Sequence, residues 1–227
     1  MSELADQLRG FDTCTLSDAL DAMGLPSGVG GFNQYGPAKR IVGPATTVRL
    51  VADDGRPREQ HLGTAAIEAA HPGSIIVVEH LEVCDAAGWG GLLSVAAQHA
   101  QVAGVVVDGT CRDVDDYFDL DFIVLARRSV PATARSRVIE GESGSSITIG
   151  GVVVNPDDWV VGDRSGVVVI PALAVDELIN VATKIAQREQ LMMADLRSGV
   201  KVTEVLGRQY ETMLNEPHRG GETLSAS

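Results

Sequence analysis

The chain has 227 residues, of which 44% are apolar and only 4% aromatic; a core of small aliphatic side chains of that size suits one large layered α/β domain better than an aromatic-rich sandwich. Acidic residues number 31 against 18 basic ones, a net charge of −13, which disfavours nucleic acid as a partner because phosphate backbones attract basic surfaces. No stretch approaches the roughly 20 apolar residues of a membrane span, residues 1–9 lack a signal-peptide core, and Cys14, Cys84 and Cys111 have neither metal-ligand nor redox spacing, so a reduced, cytoplasmic protein without a membrane partner is expected.

Residues 4–10 read as a short helix. "TLSDALDAMG" (15–24) reads as a second, with Leu16, Ala19, Leu20 and Met23 on one face and Gly24 as its stop. The glycine-rich 25–36 segment reads as a flexible connection, since no strong strand precedes it as a dinucleotide fingerprint requires. Residues 40–51 form one strand or a pair broken at Gly43-Pro44, and residues 59–70 are helical. After the His71-Pro72-Gly73 turn, "SIIVVE" (74–79) is a buried strand, 91–103 a helix closed by Gly104, "VVVD" (105–108) a second buried strand, 113–120 a short helix and "FIVLA" (122–126) a third strand. This alternation predicts parallel strands with helical crossovers. From 145 to 171 short β runs alternate with Gly, Pro and Asp turns, which predicts hairpins or crossing strands. A long helix (172–197), an amphipathic segment (202–214) and a disordered tail after Asn215 complete the reading. Residues 1–200 are expected to form a single domain and residues 201–227 a helical extension with a flexible tail.

Two loops carry candidate chemistry. "GWGGLL" (88–93) opens the 91–103 helix, and the first turn of a helix presents unpaired N–H groups that suit a carboxylate. Trp89 either walls a pocket there or packs beneath the loop. In the second loop, at the carboxyl end of the 105–108 strand where α/β sheets bind ligands, Arg112 offers a planar fork for a carboxylate. Asp113 and Asp116 are hard oxygen ligands spaced i, i+3, suited to Mg²⁺ or Mn²⁺. The competing reading is a surface loop with an internal Arg112–Asp113 ion pair. Asp115, Asp119 and Asp121 are read as a solvated face. His61, His71, His80, His99 and His218 lack zinc spacing, and Met192-Met193 read as packing. Lys39, Lys184 and Lys201 lie outside the constellation, which argues against a Schiff-base mechanism.

Gly91, twenty residues, Arg112-Asp113, two residues and Asp116 together resemble the G-x20-R-D-x2-E/D signature of the regulator-of-ribonuclease-activity-A-like family. "TLSDALDAMG", "VVVDGTCRD" (105–113) and "VVGDRSGVVVIP" (160–171) are similar to its N-terminal helix, strongest motif and late β segment. The family includes 4-hydroxy-4-methyl-2-oxoglutarate and 4-carboxy-4-hydroxy-2-oxoadipate aldolases and oxaloacetate decarboxylases. The resemblance implies an α/β/β/α swivelling-domain-like sandwich with a C-terminal helical extension. It also implies a homotrimer or dimer of trimers with the site at the subunit interface, and a small 2-oxo acid as substrate. By position, Gly90, Gly91, Leu92 and Leu93 would give backbone contacts to the pyruvyl group, Arg112 would bind substrate and Asp113 would ligate the metal; a metal- or Asp116-linked water is expected as the base. Some family aldolases carry an Asp where this chain has Gly91; Asp116 fits the alternative form of the motif. A neighbouring subunit's carboxylate, with Glu189 a candidate against its reading as a plain solvated residue, completes the implied site. The family also contains non-catalytic protein inhibitors of an RNA-degrading endonuclease, which is the alternative function. A quinone methyltransferase is discounted, because no S-adenosylmethionine motif follows an early strand.

Overall fold

The computed structural model describes residues 3–56, 60–80 and 85–207. Its strands are β1 (Asn33–Tyr35), β2 (Ile41–Ala52), β3 (Ile75–Glu79), β4 (Gly104–Cys111), β5 (Val124–Ser129), β6 (Val138–Ser143), β7 (Ile147–Ile149), β8 (Val152–Val154), β9 (Trp159–Asp163) and β10 (Gly166–Ile170). Its helices are α1 (Glu3–Arg9), α2 (Thr13–Ala22), α3 (Thr64–Ala69), α4 (Gly91–His99), α5 (Val114–Asp119), α6 (Val175–Arg197) and α7 (Val202–Val205).

β2, β3, β4 and β5 lie side by side and parallel, joined by α3, α4 and α5 as crossovers. β1 pairs antiparallel with β5, so the glycine-rich 25–36 segment is not only a loop. β2 does not break at Gly43-Pro44. Its first residues pair with β9 and its later ones with β3 and β6, so the strand passes from one sheet into another. Gly43 permits the crossing, because a Cβ there would collide with the Gly73 carbonyl.

The strands read as continuous apolar runs because both of their faces are covered. Ile76 and Val78 of β3 and Val105 and Val107 of β4 pack with α3, α4 and α5. Ile75, Val77 and Val106 point the other way, onto Val160 of β9 and Val167 and Val169 of β10. The outer faces of β9 and β10, Val161, Val168 and Ile170, pack on Leu16 and Leu20 of α2 and Leu178 and Ala182 of α6. The result is the expected α/β/β/α stack.

Several boundaries differ from expectation for local reasons. α2 begins at Thr13, because Asp12 Oδ1 accepts from the Thr15 amide and hydroxyl, both at 2.8 Å, and caps the helix. α3 begins only after Gly63, which sits at φ +79°. α4 ends at His99, because Gln101 adopts φ +60°, so His99 is terminal and exposed rather than mid-helix. β4 runs through Asp108 to Cys111. β6 is a strand that the sequence pattern does not predict. A 3-10 turn, Ala172–Ala174, precedes α6. Of the 202–214 segment only Val202–Val205 is helical among the described residues; the tail and Cys84 lie outside them. Among the described residues, no helix is long and apolar enough to cross a membrane.

Candidate active site

The two candidate loops meet because the chain after β3 returns to the ladder it left. Trp89 forms a parallel bridge with Cys111, the Gly88 amide donates to Thr110 O (2.8 Å), and the Arg112 amide donates to Trp89 O (3.0 Å). Gly90-Gly91 is thereby laid beside Arg112-Asp113 at the carboxyl ends of two adjacent parallel strands. Trp89 is 1% exposed, and its Nε1–H donates to Ser94 Oγ at 2.9 Å. Its indole packs beneath the loop, and its edge also lines the pocket above, so both readings of this residue hold.

Asp113 lies at the N-terminus of α5 with φ +58°, ψ +43°, a left-handed conformation that Asp tolerates better than most residues. Its side chain does not cap its own helix. Oδ2 accepts from the Gly91 amide at 3.0 Å, capping α4 from across the cleft, and meets Arg112 Nε at 3.2 Å. The internal ion pair of the competing reading is therefore present, within the same constellation. Oδ1 has no protein donor among the described residues. With the Gly91 amide taken by Asp113, the free donors of the first turn are the amides of Leu92 and Leu93, which have no protein acceptor among the described residues. A Cβ at Gly90 would stand 2.8 Å from Asp113 Oδ2, so a side chain there would push the Asp113 carboxylate aside.

Asp116 sits directly over Gly91: a Cβ at 91 would collide with Asp116 Oδ2. The carboxylate of Asp116 thus occupies the volume that a side chain at position 91 would fill. Tyr117, fully buried, donates its hydroxyl to Arg112 O and fixes the loop from below. Burial pushes this phenol well above its usual value, which keeps it a donor. Burial likewise pushes the adjacent Cys111 thiol up to about 12, which makes it inert as a nucleophile.

These groups open on a pocket of about 120 Å³. Its wall includes His61 and Leu62, which follow β2, and Thr133, Ala134 and Arg135, which follow β5, as well as Trp89, Gly90, Leu92, Leu93, Arg112 and Asp113. All four parallel strands therefore send a loop to one rim. The residues after β2 and β5 were missed in the sequence; the strand-end rule that located Arg112 would have found them once four parallel strands had been counted.

Other polar residues have structural partners. Asp108, 1% exposed, pairs with Arg127 and accepts from the Gly150 amide at 2.7 Å, fastening the β7–β8 hairpin to the sheet. Burial lowers the His80 pKa, and its Nε2 lies 2.7 Å from Ala86 O. Asp115, Asp119 and Asp121 are exposed, as expected. Glu189 is not a plain solvated residue: it is half-buried, and burial and the carboxylates of Asp18 and Asp12 raise its pKa. No group of three His, Cys, Asp or Glu poised to hold a metal exists among the described residues. A cation at Asp113 would keep several waters and take oxygens from substrate, as Mg²⁺ commonly does, and the donor-free Oδ1 on a half-exposed side chain fits that role.

Residues 13–169 match the family model described as RraA-like, Aldolase/RraA. The chain is 28% identical over 199 residues to the protein DlpA of Legionella pneumophila, covering 88% of this chain and 32% of DlpA, so it spans about a third of that relative's length. It is 32% identical over 179 residues to a Halalkalibacterium halodurans protein named "Putative 4-hydroxy-4-methyl-2-oxoglutarate aldolase", covering 78% of this chain and 81% of that protein. Among solved structures, Streptomyces coelicolor RraAS2, described as an unusual member of the RNase ES inhibitor RraA protein family, is similar with a TM-score of 0.75 and 25% identity, covering 84% of this chain and 96% of that one.

Proposed function

We propose that this chain, which belongs to the RraA-like, Aldolase/RraA family, is a divalent-metal-dependent lyase that cleaves a 4-hydroxy-2-oxo acid or decarboxylates oxaloacetate through the enolate of pyruvate. The observation that carries this reading is the joining of two loops: Asp113 on the Gly91 amide, Arg112 beside it, and the free amides of Leu92 and Leu93 at the same helix start. The aldolase name of the Halalkalibacterium relative supports it.

Each group has a role that its position suits. Asp113, through Oδ1, would hold Mg²⁺ or Mn²⁺. Bound there, the cation supplies Lewis-acid polarisation of the ketone. Arg112 grips the 1-carboxylate with its planar fork. The Leu92 and Leu93 amides donate to the oxygens on which enolate charge develops, where preorganised donors contribute most. Asp116, seated over Gly91, takes the 4-hydroxyl proton through a water and returns a proton to C3 of the enolate. Trp89 closes the floor against bulk water.

A homotrimer or dimer of trimers, with the site at a subunit interface, is part of the same proposal. Leu92 and Val95 of α4 and Phe118 of α5 are exposed next to the site, and the two helices are tied by Gln98 Nε2–H donating to Leu120 O. Such apolar exposure beside a polar cleft suits coverage by another subunit.

The test is pyruvate release from oxaloacetate and from 4-hydroxy-4-methyl-2-oxoglutarate. Turnover is expected with Mg²⁺, loss of turnover with EDTA and in Asp113→Asn, and a KM rise of tenfold or more in Arg112→Ala, since a charge-assisted contact contributes roughly 1.5–3 kcal/mol. Metal-independent turnover would falsify the proposal. The second reading is a protein-binding regulator of an RNA-degrading endonuclease. It draws on the likeness to Streptomyces RraAS2, a member of an RNase ES inhibitor family, and on the −13 charge. Capture of such a ribonuclease by a protein that releases no pyruvate favours it instead.

A further inference from the structure

We infer that Arg135 binds a second carboxylate at the far end of the bound keto acid and so selects substrates that keep that group on the departing fragment. This rests on the lyase reading and concerns the part of the pocket that Arg112 and Asp113 leave open.

The first observation is charge. The chain is acidic overall, and most arginines of its described surface face a carboxylate: Arg9 with Asp6, Arg40 with Asp163, Arg49 with Glu79, Arg127 with Asp108. Arg135 has no acidic partner among the described residues, yet it lines the pocket. The one carboxylate on that wall, Asp113, is already paired with Arg112. An unneutralised guanidinium therefore remains on the rim.

The second observation is presentation. The turn carrying Arg135 is tied down on both sides. The Ala87 amide donates to Ala132 O (3.0 Å), the Arg137 amide to Ala134 O (2.9 Å) and the Asp53 amide to Arg137 O (2.8 Å), while Ala134 is buried in the core. The backbone is fixed, and the exposed side chain is left to meet a ligand. The pocket's 120 Å³, several times the roughly 10–15 Å³ that one water needs in the same measure, suits a short-chain acid.

The position of this cation bears on which bond cleavage it favours. In retro-aldol cleavage the 4-hydroxyl proton goes to the base, the C3–C4 pair passes to C3 as enolate, and C4 becomes a carbonyl. A carboxylate on C4 keeps its charge throughout, so its ion pair with Arg135 persists. In decarboxylation of oxaloacetate the C3–C4 pair also passes to C3, but the leaving carboxylate becomes neutral CO₂ and its ion pair is lost. A guanidinium placed for that group therefore favours the first reaction over the second without abolishing either.

The test uses the full chain with Mg²⁺ and two probes that share a pyruvyl end, 2-oxoglutarate and 2-oxopentanoate, by titration calorimetry. Wild type should bind the diacid tighter by roughly tenfold to a hundredfold, Arg135→Gln should close that gap, and Arg135→Lys should retain part of it. Equal affinities in wild type, or a gap that survives Arg135→Gln, overturns the assignment. In turnover, Arg135→Gln should lower kcat/KM for 4-hydroxy-2-oxoglutarate at least tenfold more than for 4-hydroxy-2-oxopentanoate; an equal fall on both also overturns it. The calorimetric gap needs no chemistry. A protein that shows the gap and releases no pyruvate contradicts the lyase reading and leaves Arg135 in place.

Discussion

Gly91 and Asp116 share one volume, and this is the tightest constraint in the cleft. A methyl group at 91 meets the Asp116 carboxylate and pushes this exposed side chain aside. Gly91→Ala should therefore leave stability within about 0.5 kcal/mol of wild type, as for other changes that disturb only an exposed side chain, and reduce turnover by displacing Asp116. Gly91→Ala/Asp116→Ala should be no slower than Asp116→Ala alone, a non-additivity expected of residues in contact. Urea denaturation of the four proteins alongside pyruvate assays checks both halves. A Gly91→Ala protein as active as wild type contradicts the placement of Asp116. Arg112 and Asp113 need different care: their mutual ion pair is over a third exposed and contributes little to stability, so substitutions there read on function.

At the scale of elements, Asp163 joins β9 to the start of α2. Burial alone would raise its pKa. The Thr13 hydroxyl (2.6 Å) and amide (3.0 Å), the Ser165 amide and the nearby Arg40 outweigh it and hold the carboxyl below its usual range. A lowered folded-state pKa means that the stabilisation is complete above the ordinary carboxylate pKa of about 4 and is lost as pH falls through the folded value. Asp163→Asn should therefore cost about 1–2 kcal/mol at neutral pH, and its difference from wild type should shrink below about pH 4; a pH-independent difference contradicts this. The same scale explains what the sequence made legible. Gly88–Leu93 and Arg112-Asp113 stand out because glycines and charges interrupt long apolar runs, and the β/α alternation gave the crossovers. β6 stayed hidden because Val138–Ser143 is half exposed and carries Glu140, Gly141 and Glu142, poor strand formers. The sheet change of β2 at Gly43-Pro44 depends on contacts with β9 and Gly73, far away in the chain. His61 and Arg135 reach the pocket only through the parallel order of β2 to β5, a property of the assembled sheet.

The whole molecule is a sandwich whose two inner sheets share β2 and whose helices cover both outer faces. That arrangement brings loops from four parallel strands to the cleft rim and leaves Leu92, Val95 and Phe118 uncovered beside it. On the oligomer proposal, Phe118→Glu should reduce the sedimentation coefficient to that of a monomer with unchanged circular dichroism, whereas a wild-type protein already monomeric at micromolar concentration contradicts it. The central claim is enolate formation at Asp113, and proton exchange on pyruvate itself reads it without knowledge of the natural substrate. Pyruvate in D₂O with Mg²⁺ and the protein should lose its methyl proton resonance, and EDTA or Asp113→Asn should return the rate to that of buffer alone. Exchange no faster than in buffer, or exchange indifferent to Asp113, contradicts the account.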